Sequence, residues 1–253
     1  MTDDYWQDRR CWLIGASSGI GAATAQALHA AGAKVALTAR KREQLEQVLP
    51  ADAQPLILPA DVQDASTLEA AHAEILRHWQ GVDTLVYLAG AYTPARAWEL
   101  DLQRAEEILD VNYRGALRSL AAALPGWEER GAGQIVLVSS IAALRGLPQS
   151  LYYGPSKAAL THLAEVLRLD LEPRGFRVQV VHPGFVATPL TAQNSFSMPH
   201  LMTPEAAAQA LLQGMRSARF EMQFPRAFTR RFSILRCLPY SWYFPLLRRA
   251  TGL

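Results

Sequence analysis

Four residues of this chain have the types and spacing to move a proton at a carbonyl. Tyr153 and Lys157 stand four apart in Tyr153-Gly154-Pro155-Ser156-Lys157, at the start of a helical pattern, and so share one helix face. A cation held beside a phenol favours the phenolate and lowers its pKa. A tyrosine tuned in this way can exchange a proton with a carbonyl or an alcohol near neutral pH. Taken alone, the pair also describes an ordinary helix surface. Ser140, thirteen residues before Tyr153 at the end of an apolar run, changes that balance, as does Asn112 in Val111-Asn112-Tyr113-Arg114-Gly115.

A second constellation is built to bind. Cys11-Trp12-Leu13-Ile14 is a short apolar run that breaks into Gly15-Ala16-Ser17-Ser18-Gly19-Ile20-Gly21, and an alanine-rich helical pattern follows. In a strand–turn–helix context such glycines let the backbone approach a pyrophosphate, with the helix N–H groups and positive dipole end facing the anion. The plainer reading is a tight turn whose glycines serve packing. The spacing Gly-x3-Gly-x-Gly also departs from the commoner Gly-x-Gly-x-x-Gly.

The end of the second apolar run, Thr38-Ala39-Arg40-Lys41-Arg42, bears on which dinucleotide would be held. An NAD site wants an acid about twenty residues beyond the glycines, to accept from the ribose hydroxyls. None is present here. Arg40 can instead pair with a 2′-phosphate and stack on adenine. NADP (NADPH) is therefore expected, and NAD is the lesser alternative. Against this stands a solvated helix start, although cations are mildly unfavourable at a helix N-terminus.

These residues must be carried by alternating strands and helices. Apolar runs at Lys34–Thr38, Leu56–Leu58, Thr84–Leu88, Gln134–Val138, Arg177–Val181 and Glu221–Phe224 alternate with helical patterns, the mark of a parallel sheet with crossover helices. Helices are expected from the glycine turn to Ala31, from Arg40 to Leu49, up to Leu76, over Leu102–Leu124, over Tyr153–Leu171, and after the cap Thr203 with Pro204. The pattern implies a single-domain, doubly wound Rossmann-type α/β sheet of about seven strands over residues 1–225, with 226–253 as a basic, aromatic tail.

Composition limits the function classes. The 253 residues are 50% hydrophobic and 19% charged, which suits one globular domain with a large core, and a net charge of +2 leaves no nucleic-acid footprint. Two cysteines, Cys11 and Cys237, offer neither a disulfide framework nor a zinc motif and fit a reducing cytoplasm. No metal site is expected: His182 reads as a packed strand-end residue, and His72 and His78 as helix-surface residues. The acidic N-terminus, Met1-Thr2-Asp3-Asp4-Tyr5, is not a signal peptide, and no window is apolar for long enough to span a membrane.

From about Arg9 to Pro225 the chain resembles the short-chain dehydrogenase/reductase family. Five motifs carry the resemblance in order: Gly15-x3-Gly19-Ile20-Gly21; Asp61-Val62; Ala89-Gly90; Ser140 with Tyr153-x3-Lys157; and Pro183-Gly184 with Thr188. The resemblance implies a Tyr153 acid/base, a Ser140 that orients the substrate carbonyl, and a Lys157 that binds the nicotinamide ribose and tunes Tyr153. It further implies that Asn112 supports a water-linked proton relay. Adenine would lie near Asp61 and Val62 and nicotinamide near Val186 and Thr188. The glycine turn with Ser17 and Ser18, together with Ala89, Gly90, Pro183 and Gly184, would complete the cofactor wall.

Two departures stand out. Ile14 replaces the usual threonine, and Tyr87-Leu88 the usual paired asparagines, so an altered local hydrogen-bond pattern is expected near Ala89. Tyr152, five residues from Lys157, is expected on the pocket wall, and Trp98 and Tyr92 either line the substrate mouth or pack on the long helix. The pocket should be formed by 91–98, 144–152 and 185–201, which are mostly apolar apart from Arg96, Arg145 and His200. That favours a small-molecule substrate that is an apolar carbonyl compound or secondary alcohol. The resemblance implies a homo-dimer or homo-tetramer. The alternatives are an NAD(H)-dependent alcohol dehydrogenase with the same residues, or a protein that senses NADP(H) without turnover.

The tail departs most from a minimal dehydrogenase. Seven arginines against Glu221 give residues 219–253 a charge of +6, leaving −4 for residues 1–218. Phe228, Phe232 and Leu235 share a helical face, and Tyr240, Trp242, Tyr243 and Phe244 add aromatic bulk before Arg248 and Arg249. This suits a peripheral segment in a membrane interface. The competing expectation is that the aromatics fold back over the substrate pocket or a subunit contact and leave the arginines in water.

Overall fold

The strands expected from the apolar runs pair into one parallel sheet in the computed structural model. It describes residues 4–128 and 131–252; Met1–Asp3 of the acidic N-terminal run, Leu253 and the Arg231 side chain lie outside the described residues. The strands are β1 Arg10–Ile14, β2 Lys34–Thr38, β3 Leu56–Ile57, β4 Thr84–Tyr87, β5 Gly133–Val138, β6 Phe176–Pro183 and β7 Glu221–Phe224. Among the described residues the sheet has seven strands in the order β3-β2-β1-β4-β5-β6-β7, every pair parallel.

Successive side chains on each strand point to opposite faces, so one sheet makes two cores. Trp12, Leu85, Tyr87, Ile135 and Leu137 face helices α3 (Ala65–Trp79), α5 (Gly115–Glu128) and α6 (Tyr153–Leu171). Leu13, Val86, Val136 and Val181 face α1 (Gly19–Ala30) and α7 (Pro204–Met215). Strand order reverses between β1 and β4, which opens a crevice beyond their carboxyl ends. The turns bearing Gly15, Ala89, Ser140 and Gly184 all meet there.

Several elements differ from expectation. Helix α2 spans only Arg42–Glu46, and α3 runs on to Trp79, where Gln80 closes it in the left-handed region. The helix expected over 102–124 is interrupted. Helix α4 (Leu102–Leu109) passes through a widened π turn, Asp110–Arg114, into α5, which continues past Pro125. Tyr87 supplies the cause. Its buried hydroxyl donates to the Val111 carbonyl at 2.5 Å, and a Cβ on Gly115 would lie 2.3 Å from that hydroxyl oxygen. The helix widens around the phenol, and glycine stands where the two touch. The altered hydrogen-bond pattern expected at Tyr87 is this one.

His72 is buried, not on the helix surface, because its ring stacks on Trp12 of β1 with centroids 5.7 Å apart. In the tail, α8 (Arg226–Leu235) and α9 (Tyr240–Thr251) fold back onto the loops beyond β5 and β6. Phe228 is buried against Phe185, Phe232 and His200, and the Tyr243 hydroxyl donates to the Gly146 carbonyl at 2.6 Å.

Candidate active site

The crevice is a cleft of about 800 Å³. Its binding end is the turn after β1. Gly15 N and Ala16 N donate to the Thr38 carbonyl at 2.8 and 3.1 Å, which splices the turn to β2. Gly15 has φ +92, and a Cβ there would come within 2.4 Å of Ala89 N; one on Gly21 would come within 2.1 Å of Gly15 O. These two glycines therefore serve close packing, while Gly19, at φ +53, leaves room only for the Thr188 methyl across the cleft, 2.8 Å from where a Cβ would be. The packing reading of the turn is borne out by these contacts.

Ser18 begins α1 with no side-chain cap, and the first turn carries no acid. The first backbone N–H groups of the helix thus remain for an anion in the cleft, which Ser17, Ser18, Gly19, Ile20 and Gly21 all line. Arg40 lines the same end, is exposed, and has no ion pair among the described residues, whereas Arg42 pairs with Glu46 at 3.5 Å. Asp61 and Val62 line the adjoining wall, anchored by Thr67, which accepts from Asp61 N at 3.1 Å, and by Arg118, which donates to the Val62 carbonyl at 3.1 Å. Ala89, Gly90, Pro183, Gly184, Val186 and Thr188 also line the cleft. This cradle, with its open helix terminus and a guanidinium without an ion pair among the described residues, fits a nicotinamide dinucleotide.

The reacting end lies between β5 and α6. Ser140 follows β5 and caps a short turn by accepting from Ala142 N at 3.1 Å. Tyr153 opens α6 and hydrogen-bonds Ser140. Lys157, one turn on, donates to the Val138 carbonyl at 2.9 Å, with its Nζ 5.8 Å from the centre of the Tyr153 ring. Burial pushes the Tyr153 phenol up to about 12, and the Ser140 hydrogen bond acts against that rise. Burial likewise pulls Lys157 down to about 8. Burial dominates, and Lys157 is not among the groups that lower the tyrosine, contrary to what the spacing suggested. Tyr153 is accordingly a phenol at neutral pH, the form that donates to a carbonyl oxygen.

Asn112 stands behind the cleft instead of lining it. Its carboxamide accepts from Ala91 N at 2.7 Å and donates to Ala91 O at 3.0 Å and to Ser156 Oγ at 2.8 Å. Those bonds clamp the loop after β4 to α6. Below Lys157 a further chain runs through the fold. Ser139 Oγ lies 2.8 Å from Thr161 Oγ1, which is 3.0 Å from His182 Nε2, and His182 Nδ1 is 2.9 Å from Glu221 Oε1. The His182 ring at this distance holds the Glu221 carboxyl down to about 2. His182 is thus a packed strand-end residue that ties α6 to β7.

The aromatic residues of the mouth divide. Tyr92 packs edge-on against Tyr153 with centroids 5.1 Å apart and donates to Asn194 Oδ1 at 2.8 Å, joining the loops after β4 and β6. Asn194 lies in an unpatterned loop, and nothing in the sequence singled it out. Tyr152 is not on the cleft wall. It is buried with Ala95 and Ile108, where it accepts from Asp101 N at 2.6 Å and donates to Glu99 O at 3.0 Å. Trp98 neither lines the mouth nor packs on a helix, being 79% exposed beside Arg96. Arg145 is drawn away from the pocket: it donates to the Leu238 carbonyl and stacks on Tyr240 and Tyr243 at 4.5 and 4.8 Å.

The short chain dehydrogenase family profile matches residues 10–198. An uncharacterized oxidoreductase of Myxococcus xanthus is 37% identical over 223 residues, covering 86% of this chain and 87% of that protein. A short-chain type dehydrogenase/reductase from Mycobacterium marinum superposes with a TM-score of 0.80 at 25% identity, over 88% of this chain and 97% of that one. A short chain dehydrogenase from Burkholderia cenocepacia, solved in complex with NADP, shares the fold at a TM-score of 0.83 and 24% identity, covering 96% of this chain and 98% of that one.

Proposed function

The chain belongs to the short-chain dehydrogenase/reductase family and is an oxidoreductase of it, and from that premise we propose an NADP(H)-dependent reductase or dehydrogenase of apolar carbonyls and secondary alcohols. The observation that carries the reading is one cleft with Ser140, Tyr153 and Lys157 at one end and, beside the glycine turn at the other, an Arg40 with no ion pair among the described residues. When bound, NADPH supplies the hydride that reduces the carbonyl carbon. Ser140 holds the carbonyl oxygen, and Tyr153 delivers the proton to it, giving the alcohol. Lys157 holds the nicotinamide ribose and restores the Tyr153 proton, and Asn112 keeps the Ala91 loop and α6 in register. Arg40 receives the 2′-phosphate.

Residues 1–225 act as the catalytic domain and 226–253 as its tail. Outward-facing Leu117 on α5 and Val166 and Leu169 on α6 support a homo-dimer or homo-tetramer through those helices. The two free thiols, Cys11 buried and Cys237 exposed, support a reducing cytoplasm. The test is a panel of aldehydes, ketones and acyl-chain carbonyls with NADPH and with NADH. Turnover with apolar ketones and NADPH is expected. Consumption of neither cofactor across the panel would contradict the reading.

A further inference from the structure

The tail divides, residue by residue, into an inward and an outward face. Phe228 and Tyr243 fold inward over the loops of the mouth, while Trp242 is 69% and Leu246 49% exposed. Those two stand four apart on α9, and Arg249 lies on the same stripe, three residues after Leu246. On α8 the stripe Arg226, Arg230 and Ile234 is exposed as well. No acid follows Glu221, so this outer surface carries arginines and large apolar groups without a carboxylate among them.

Topology sets where that surface sits. Because every strand is parallel, the loops after β4, β5 and β6 emerge at one end of the sheet, the end that holds the cleft. Helix α9 is fastened to the loop after β5 through Tyr243 and Gly146, and α8 to the loop after β6 through Phe228 and Phe185. The loops at this end of the sheet add their own exposed apolar groups: Trp98 at 79% and Leu100 at 61% after β4, outside the cleft lining and with exposed Glu99 between them, and Phe196 at 43% and Leu201 at 47% after β6. An exposed apolar rim of this extent marks a contact surface. On α8 and α9 the mixture of tryptophan, leucine and arginine without acidic side chains matches an anionic lipid interface, where indole rings sit at headgroup level and cations meet phosphates. No helix among the described residues is long and apolar enough to cross a membrane, so the contact is made at the surface.

We propose that this end of the molecule docks on an anionic phospholipid surface through α9 and the rim of the mouth, and takes a carbonyl carried on a hydrocarbon chain from it. The docking stands on the surface alone; the substrate class rests on the catalytic reading above.

The test is co-sedimentation of the full chain with vesicles of phosphatidylcholine alone and of phosphatidylcholine with phosphatidylglycerol, at low and high salt. Binding is expected to the anionic vesicles at low salt and to fall steeply at high salt. Trp242→Ser with Leu246→Ser, and separately Arg248→Glu with Arg249→Glu, should each weaken it by about tenfold or more. NADPH affinity and turnover of a water-soluble ketone are measured beside the binding and should stay unchanged, which separates failure of docking from failure of the catalytic reading. Absence of binding at low salt, or binding by both double variants as strong as that of the wild type, would overturn the proposal. So would a drop in oligomer mass with the Trp242/Leu246 variant, which would assign the face to a second copy of the chain.

Discussion

At the scale of single residues, the site holds its chemistry at some cost in stability. Lys157 is buried with its charge disfavoured, and its pKa falls from 10.5 to about 8. Below pH 8 the lysine is protonated in both folded and unfolded chains, and the folded state carries the full penalty. As pH rises from about 8 to about 10.5 the folded chain sheds the proton first, and stability is regained. Lys157→Met should therefore stabilise the cofactor-free protein at pH 7 by about 1–3 kcal/mol, after the lost hydrogen bond to Val138 is allowed for, while abolishing turnover. Denaturant midpoints at pH 7 and pH 10 check this, since the gain should shrink at the higher pH. Arg40 is exposed, and its proposed role rests on its charge. Arg40→Asp should shift preference from NADPH toward NADH by roughly 2 kcal/mol, read as the ratio of dissociation constants. Equal wild-type affinity for the two cofactors would remove the role given to Arg40.

Among the elements, the π turn between α4 and α5 carries most of the unforeseen structure. Tyr87 reaches from β4 to the carbonyl of Val111, next to Asn112, so a strand residue sets the helix geometry that aims the Asn112 clamp at Ala91 and Ser156. Tyr87→Phe leaves that carbonyl without its phenol donor and should cost about 1–2 kcal/mol of stability, visible as a lower denaturant midpoint. It should also lower kcat more than it raises KM for NADPH. Helix α6 and strand β7 were legible to the residue, because apolar periodicity and flanking Gly or Pro are local signals. The π turn was not, since its cause lies 24 residues away on another element. His72 escaped for the same reason, its burial coming from a stack on Trp12 that helical periodicity does not record. The glycine turn and the Ser140–Tyr153–Lys157 set were legible because their spacing is itself the geometry. Asn112 was found as a site residue, but its clamp depends on which loop the fold lays beside it.

For the molecule as a whole, one parallel sheet brings turns separated by more than a hundred residues to a single cleft, and the tail closes over the loops at its mouth. Ending the chain at Pro225 would uncover Phe185 and the Gly146 carbonyl and remove the buried Phe228 and Tyr243. At about 1.5–3 kcal/mol for each large apolar side chain, a loss on the order of 3 kcal/mol or more is expected, measured by denaturant unfolding of the shortened and full chains. The aromatic composition of the tail was legible, whereas its division into inward and outward residues was set by the loops it meets. The central claim is that this cleft joins hydride from NADPH to a proton from Tyr153. The direct measurement is transfer of deuterium from C4-deuterated NADPH to the carbonyl carbon of a ketone turned over by the wild type, compared with Tyr153→Phe, with NADPH affinity titrated for both. The account predicts deuterated alcohol from the wild type, almost none from the variant, and nearly equal affinities. Deuterated alcohol formed by Tyr153→Phe at most of the wild-type rate would contradict it.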